Sequence, residues 1–213
     1  MVRVKVSGKA GTPTSATAAS LTVHALTATR DGYATAFPCS AATPPVASLA
    51  VNAGGSVTNH VETAIANGEV CVFVSAPMHL IVDLSGWYGP TATTEYFAIT
   101  PVRAVDTRSN IGITGGLAAK VDRPVTLAGT NGLPSAARVR AVVAQVIAVG
   151  AAAPGYLTVH PCLAKVPSVS MVRYAVGSNA ATSVSVPDDA SGRWCVTASS
   201  AVHLVVDLSG YFA

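Results

Sequence analysis

The sequence contains nearly the same stretch twice, and this internal repeat constrains the fold more than any other feature. Residues 79–88 read HLIVDLSGWY, and residues 203–212 read HLVVDLSGYF. A second pair recurs at almost the same spacing, with GYATAFPC at 32–39 and GYLTVHPC at 155–162. A nearly constant offset along a chain indicates copies of one structural unit. The sequence therefore predicts two homologous modules.

The repeat also sets the predicted domain boundaries. A chain of 213 residues suits two small domains of about 100 residues each. We place the first module at 1–89, a Pro- and Thr-rich linker at 90–96 and the second module at 97–213. The second module begins with a patterned segment, PVRAVDTR at 101–108, that has no counterpart in the first. The first module is therefore predicted to lack its opening DTR segment.

Short β-branched stretches bounded by Gly, Pro, Ser or Asn dominate both modules. Examples are SLTVHALTA at 20–28 and EVCVFVS at 69–75, and each module holds about seven such stretches. Helical periodicity is scarce. The pattern predicts an all-β protein of two β-sandwich modules of immunoglobulin-like size. A barrel or trefoil-like arrangement is the alternative.

The four cysteines occupy matching positions in the two modules. Because duplicated modules should form the same bond, we predict the disulfides Cys39–Cys71 and Cys162–Cys195. Four free thiols of a cytosolic protein are the alternative. A metal site is disfavoured because the sequence has no C-x-x-C pair.

Composition excludes several classes of function. The net charge is +3, and the 13 Lys and Arg form no basic run, so nucleic-acid binding is disfavoured. No apolar run reaches the roughly 20 residues that span a bilayer, so no membrane insertion is expected. The first residues lack the apolar core of a signal peptide. Since disulfides form in oxidising compartments, we favour an extracellular or cell-surface protein whose signal peptide has been removed.

Each copy of the repeat holds the residue types of a hydrolase triad, first at His79, Asp83 and Ser85. Their spacing places all three on one face of a strand. A strand rises about 3.3 Å per residue, which separates the histidine from the aspartate by roughly 13 Å. A triad requires hydrogen-bond contact between its members. We therefore predict no enzyme activity, and a hydrolase is the least favoured alternative.

The aspartates of the repeat are expected to have a structural role instead. Asp83 and Asp207 follow apolar runs, and a buried carboxylate needs donors or a cation. Arg103 and Arg108, which flank Asp106 in the DTR segment, are available to Asp207. We expect one of these guanidinium groups to dock near Asp207. Asp83 lacks such a segment of its own. Either the segment at 95–108 serves the first module, or a neighbouring chain that donates a strand in a homo-oligomer, or an upstream segment, completes it.

Aromatic pairs close both modules, with Trp87 and Tyr88 in the first and Tyr211 and Phe212 in the second. One interpretation is that they plug the core. The other is that they form a flat platform for sugar rings, which makes them candidate ligand-binding residues.

The remaining polar residues indicate no cofactor and no metal. We expect His24 to make a polar contact inside its sheet and the Asp188-Asp189 pair to form a turn. The pair lacks the number of ligands that Ca²⁺ requires. Asn59-His60 lies in a polar stretch without a ligand pattern, and His160 is expected to be a surface or packing residue.

Three motifs together resemble a known group of repeats. PVRAVDTR, GYxTxxPC and VVDLSGYF are similar to modules of actinobacterial secreted and cell-surface proteins, which open with PxRLLDTR and close with VDVSGYF. The resemblance covers 97–213 and about 4–88. Such modules often accompany enzymes that act on peptidoglycan or carbohydrate, and no catalytic activity is generally assigned to them.

Together these observations predict a non-catalytic extracellular binding or adhesion module that recognises an envelope glycan or a cell-envelope protein. The alternative is a structural subunit of a surface or virion assembly, such as a stalk or filament. Duplication favours either role, because two linked weak sites gain avidity.

Overall fold

The computed structural model describes residues 1–162 and 165–213, which form two compact units, 1–93 and 94–213. The described residues contain fifteen strands and no helix. The predicted all-β class is confirmed. A helix capable of spanning a membrane is likewise missing from this described part.

Unit 1 consists of seven strands in two antiparallel sheets. The strands are β1 Val2–Lys5, β2 Ala18–Leu26, β3 Gly32–Pro38, β4 Leu49–Val51, β5 Val57–Ala64, β6 Glu69–Val74 and β7 His79–Tyr88. One sheet has the order β1-β6-β3-β4 and the other the order β5-β2-β7.

Unit 2 repeats these seven strands and adds one. The strands are β8 Tyr96–Asp106, β9 Asp122–Thr126, β10 Ala141–Val149, β11 Gly155–Pro161, β12 Val172–Tyr174, β13 Ala180–Pro187, β14 Arg193–Ala198 and β15 His203–Phe212. The sheets have the orders β9-β14-β11-β12 and β13-β10-β15-β8. Strand by strand they match the sheets of unit 1, and β8 is the addition. Each unit is a pair of open sheets, so the sandwich prediction holds and the barrel and trefoil-like alternatives do not.

Alternating side chains build the core of each sandwich. In β10 the residues Val142, Ala144, Val146 and Ala148 are buried and the residues between them are partly exposed, as expected for a strand with one face on the core. Trp194 of β14 is fully buried, and its indole Nε1 donates to the Val186 carbonyl at 3.2 Å. That bond satisfies the one polar atom of a large core side chain.

The predicted disulfides are both present. Cys39 bonds to Cys71 and Cys162 to Cys195, at sequence separations of 32 and 33. In each unit the bond joins neighbouring strands of one sheet, β3 to β6 and β11 to β14. Closing a loop of this length stabilises a domain by about 3 to 4 kcal/mol. Paired disulfides are typical of proteins that fold in an oxidising environment.

Candidate functional site

In unit 2, strand β15 is enclosed by a neighbour on each side. It pairs with β10 along one edge and with β8 along the other. The β8 pairing runs from Phe212 opposite Tyr96 to Val205 opposite Asp106, with two register shifts. The segment PVRAVDTR therefore begins within β8, the strand that pairs with the second edge of the closing strand β15.

A bidentate ion pair fixes β8 to β15. Arg103 donates from Nε to Asp207 Oδ1 at 2.8 Å and from its terminal nitrogen to Oδ2 at 2.9 Å. The pKa of Arg103 is raised, first because of these hydrogen bonds and then because of the carboxylate charge. This is the contact that we expected for one of the two arginines.

The other arginine has a different partner. Arg108 donates from Nε and from a terminal nitrogen to the two carboxylate oxygens of Asp106, at 2.9 and 2.7 Å. Hydrogen bonds from Arg108 lower the pKa of Asp106 to about 2. Thr107 joins the end of β8 to β15, because its hydroxyl lies 3.0 Å from His203 Nδ1 and accepts from the Leu204 amide at 2.9 Å. Asp106 and Arg108 thus fix each other, while Thr107 binds β15.

Aromatic side chains line the other end of the β8–β15 pair. Phe97 stacks on Tyr211 with ring centroids 5.3 Å apart, and Tyr96 lies 5.4 Å from Phe212. Tyr96 and Phe97 are the more exposed members, at 49% and 39%. Sequence reasoning singled out Tyr211 and Phe212 and missed their β8 partners, although the YF pair lies only three residues before PVRAVDTR.

Strand β7, the twin of β15, has only one strand neighbour among the described residues, β2. Nothing in the described part of unit 1 corresponds to β8. Trp87 and Tyr88 end this strand half-buried. The structure thus contains one closing strand with both edges paired and one with an open edge.

The open edge changes the burial of otherwise equivalent side chains. Three apolar residues of β15 are each 0% exposed, namely Leu204, Val206 and Leu208. Their counterparts in β7 pack against the core but are only partly buried, namely Leu80, Val82 and Leu84. On the opposite face, Ile81 is 40% exposed where its counterpart Val205 is 1% exposed. An apolar seam is therefore accessible beside β7.

The Asp83 carboxylate has a partner that the repeat did not reveal. His24 Nε2 lies 3.2 Å from Asp83 Oδ2, and His24 Nδ1 lies 2.8 Å from the Thr58 hydroxyl. The His24 side chain is fully buried, while 23% of the Asp83 side chain is exposed. In register, Asp83 is opposite Thr22, so His24 is its diagonal neighbour on the same face. The expected polar contact of His24 is thus a contact to Asp83.

Other polar groups on this face do not form a catalytic relay. Ser20 Oγ and Glu62 Oε1 both lie near the same nitrogen of His60, Nε2, at 3.1 and 3.0 Å. A triad requires the acid on the other ring nitrogen, and Ser20 is only 2% exposed. Ser85 lies 3.4 Å from the Thr22 hydroxyl and so has its own partner.

Two further polar sites lie in unit 2. Asp189 accepts hydrogen bonds from the Ser191 and Arg193 amides, at 2.8 and 3.0 Å, so the acidic pair forms the expected turn. Burial, and then the charge of Asp189, raises the pKa of Asp188 to about 6. His160 is 2% exposed, so the packing interpretation is right and the surface interpretation is wrong. Its Nδ1 lies 2.7 Å from the Pro161 carbonyl oxygen.

The fold and the site together define a class: a tandem all-β protein with one disulfide in each unit and one incompletely paired closing strand. No group of three or more metal-ligating side chains occurs within residues 1–162 and 165–213. No family model matches the sequence, and neither a curated protein nor a solved structure is significantly similar to it. The resemblance to actinobacterial surface repeats therefore stays a prediction.

Proposed function

We propose that the protein is a non-catalytic extracellular binding module that takes up an extended polypeptide segment along β7. The observation that carries this proposal is the contrast between β7 and β15. The two strands have nearly the same sequence and the same place in the fold, yet among the described residues only β15 has a strand on its second edge. The seam of partly buried side chains beside β7 is where such a segment would bind.

The backbone of an edge strand favours this mode of recognition. An unpaired edge presents N–H and C=O groups that an added strand can pair with. Natural proteins protect long edges with Lys, Pro or bulges. The ten residues of β7 include neither Lys nor Pro. A register shift opposite Ser20 and Leu21 interrupts the β2 pairing, but β15 has a comparable shift and still pairs with β8.

The proposed extracellular location is supported by the two disulfides. Structural disulfides persist outside the cell and are rare in the cytosol. With only 11% charged residues, the chain also relies on Thr, Ser, Ala and Gly for much of its surface. A partner in the cell envelope is consistent with both features.

Photo-cross-linking tests the proposal on the full chain. All four cysteines are in disulfides, so Ile81→Cys introduces one thiol that a benzophenone reagent labels selectively. We expect the labelled β7 edge to capture extended peptides that alternate apolar and polar residues. Versions of these peptides with prolines at the positions that would donate to β7 should not be captured, because proline cannot donate to the ladder.

The matched control is Val2→Cys. Val2 lies on β1, an edge strand of the other sheet of unit 1, and is similarly exposed, at 47% against 40% for Ile81. Capture at position 81 but not at position 2 supports strand addition at β7. Equal capture at both positions, or none at position 81, contradicts it.

Glycan binding is a second candidate, favoured by the exposed aromatic rings of Tyr96 and Phe97. Aromatic rings at a surface stack on the apolar faces of sugars. The two candidates involve different units, because the ring cluster lies in unit 2 and the open edge in unit 1. Binding of envelope glycans that Tyr96→Ala abolishes would favour this function.

A further inference from the structure

We infer that the segment bound by β7 is a strand of the β8 type supplied by another polypeptide. In chemical terms this is an extended segment with an aromatic pair at its start, an arginine in its second half and Asp-Thr at its end. The inference rests on the proposed function and names the partner of that same edge. The β8–β15 contact within unit 2 serves as the template.

The carboxylate of Asp83 on β7 offers a partner for the arginine of a β8-type strand. On β15, Asp207 receives the fork of Arg103. The equivalent residue on β7, Asp83, is also an aspartate, and 23% of its side chain remains exposed beside the open edge. Its contact with His24 engages Oδ2 at 3.2 Å. A carboxylate accepts several hydrogen bonds, so an arriving guanidinium group can add to this contact.

The residues that bind the Asp-Thr end of β8 also recur on β7. On β15, His203 and Leu204 hold Thr107 by three hydrogen bonds, two of them to the Thr107 hydroxyl and one from the Thr107 amide to the Leu204 carbonyl. β7 begins with the same two residue types, His79 and Leu80, and His79 is exposed. The groups that bind the Asp-Thr end of a β8-type strand are therefore repeated on β7.

The apolar seam beside β7 matches the apolar residues that β8 adds to unit 2. In unit 2, β8 contributes Ala104 and Val105 to the core, with Ile99 and Val102 packed against it. The described core of unit 1 has no such contribution, and its β7 side chains are correspondingly less buried. A strand that carries the apolar residues of β8 would cover this seam, and burial of apolar surface favours its binding.

The number of β8-type strands argues against a second copy as the source of the segment. The described residues of one copy contain one β8 and two strands, β7 and β15, that could accept it. Moving β8 of a second copy onto β7 would vacate its own β15. That exchange would break the Arg103–Asp207 pair and expose Leu204, Val206 and Leu208, so it gains nothing.

A peptide titration of the full chain tests the inference. The probe is a fluorescein-labelled peptide of residues 94–110, followed by fluorescence anisotropy. The comparison peptide keeps the other residues of 94–110 but replaces the aromatic pair, the arginine and Asp-Thr with Ala and Ser. We expect the β8 peptide to bind about tenfold more tightly, because it adds charge-assisted bonds.

Variants locate the contact. We expect Asp83→Asn in the protein, or Arg103→Ala in the peptide, to weaken binding about tenfold, and the two together to weaken it no further, since both remove one interaction. Glu69→Gln, the same change of charge on the other sheet of unit 1, should leave the affinity unchanged.

Four results would overturn the inference. Equal affinity for both peptides refutes the β8-type chemistry and leaves strand addition intact, whereas failure of cross-linking at position 81 refutes strand addition itself. Sensitivity to Asp207→Asn instead of Asp83→Asn shows that the peptide enters β15. A dimer in light scattering that the peptide converts to monomer shows that a second copy occupies the edge.

Discussion

Leu208→Ala should destabilise unit 2 by about 3 to 4 kcal/mol, whereas Leu84→Ala, the same change at the equivalent position, should destabilise unit 1 by only about 1 to 2 kcal/mol. Leu208 is 0% exposed in a strand whose edge pairs with β8, while Leu84 is only partly buried beside the open edge. The cost of truncating a leucine grows with the contacts and the water-free volume that it loses. The difference between the two costs therefore measures what β8 adds.

The stability losses of the two variants are best measured in the full chain by native-state hydrogen exchange, which reports the stability of each unit separately. Peptides from β2 report on unit 1 and peptides from β10 on unit 2. Equal losses for the two variants, or a larger loss for Leu84→Ala, would show that the β7 edge is as well packed as β15. That result would contradict the account of an open edge.

Asp188→Asn should stabilise unit 2 at pH 7. The pKa of Asp188 is raised from 3.8 to about 6, first by burial and then by the charge of Asp189. The folded state therefore binds this proton more tightly than the unfolded state does. The associated stability is fully present below about pH 4, falls as the pH rises towards 6 and is lost above that. Allowing for solvent screening, we expect a gain of about 1 to 2 kcal/mol at pH 7.

The neighbouring aspartate provides a control of opposite sign. Burial acts to raise the pKa of Asp189, but hydrogen bonds from Arg193 and Ser191 outweigh it and the pKa is lowered. Asp189→Asn should therefore destabilise unit 2 at pH 7, with a smaller effect at acidic pH. Urea unfolding of both variants at pH 4 and pH 7 checks the pair. A gain for Asp188→Asn that is as large at pH 4 as at pH 7 would exclude titration of Asp188 as the cause.

The repeat predicted most of the fold. Matching cysteines identified both disulfides, since a duplicated module repeats its bonds, and alternating β-branched stretches identified the sandwich class. A contact from either Arg103 or Arg108 to Asp207 was anticipated because a carboxylate after an apolar run needs a donor, and Arg103 makes it. These features depend on local chemistry that recurs at equivalent positions.

The candidate site depended on information that the repeat could not contain. HLIVDLSGWY and HLVVDLSGYF are almost the same string, so neither reveals that, in the described part of the chain, only one of them has a strand on its second edge. The partner of Asp83 was missed for a related reason. In register His24 lies opposite Ile81, the place that Ile147 takes opposite Val205, so unit 2 has an isoleucine where unit 1 has this histidine and its Asp207 is bound by Arg103 instead. Only the pairing of strands brings His24 next to Asp83.

Amide hydrogen exchange of β7 and β15, measured together in one sample of the full chain, tests the central claim most directly. In the free protein, the β7 amides should exchange faster than those of β15, because an unpaired edge leaves N–H groups to water. After addition of the residue 94–110 peptide, exchange from β7 should slow while exchange from β15 stays the same. Amides in β7 that are already as protected as those of β15 in the free chain, or that the peptide leaves unchanged, would contradict the claim that β7 is an open acceptor.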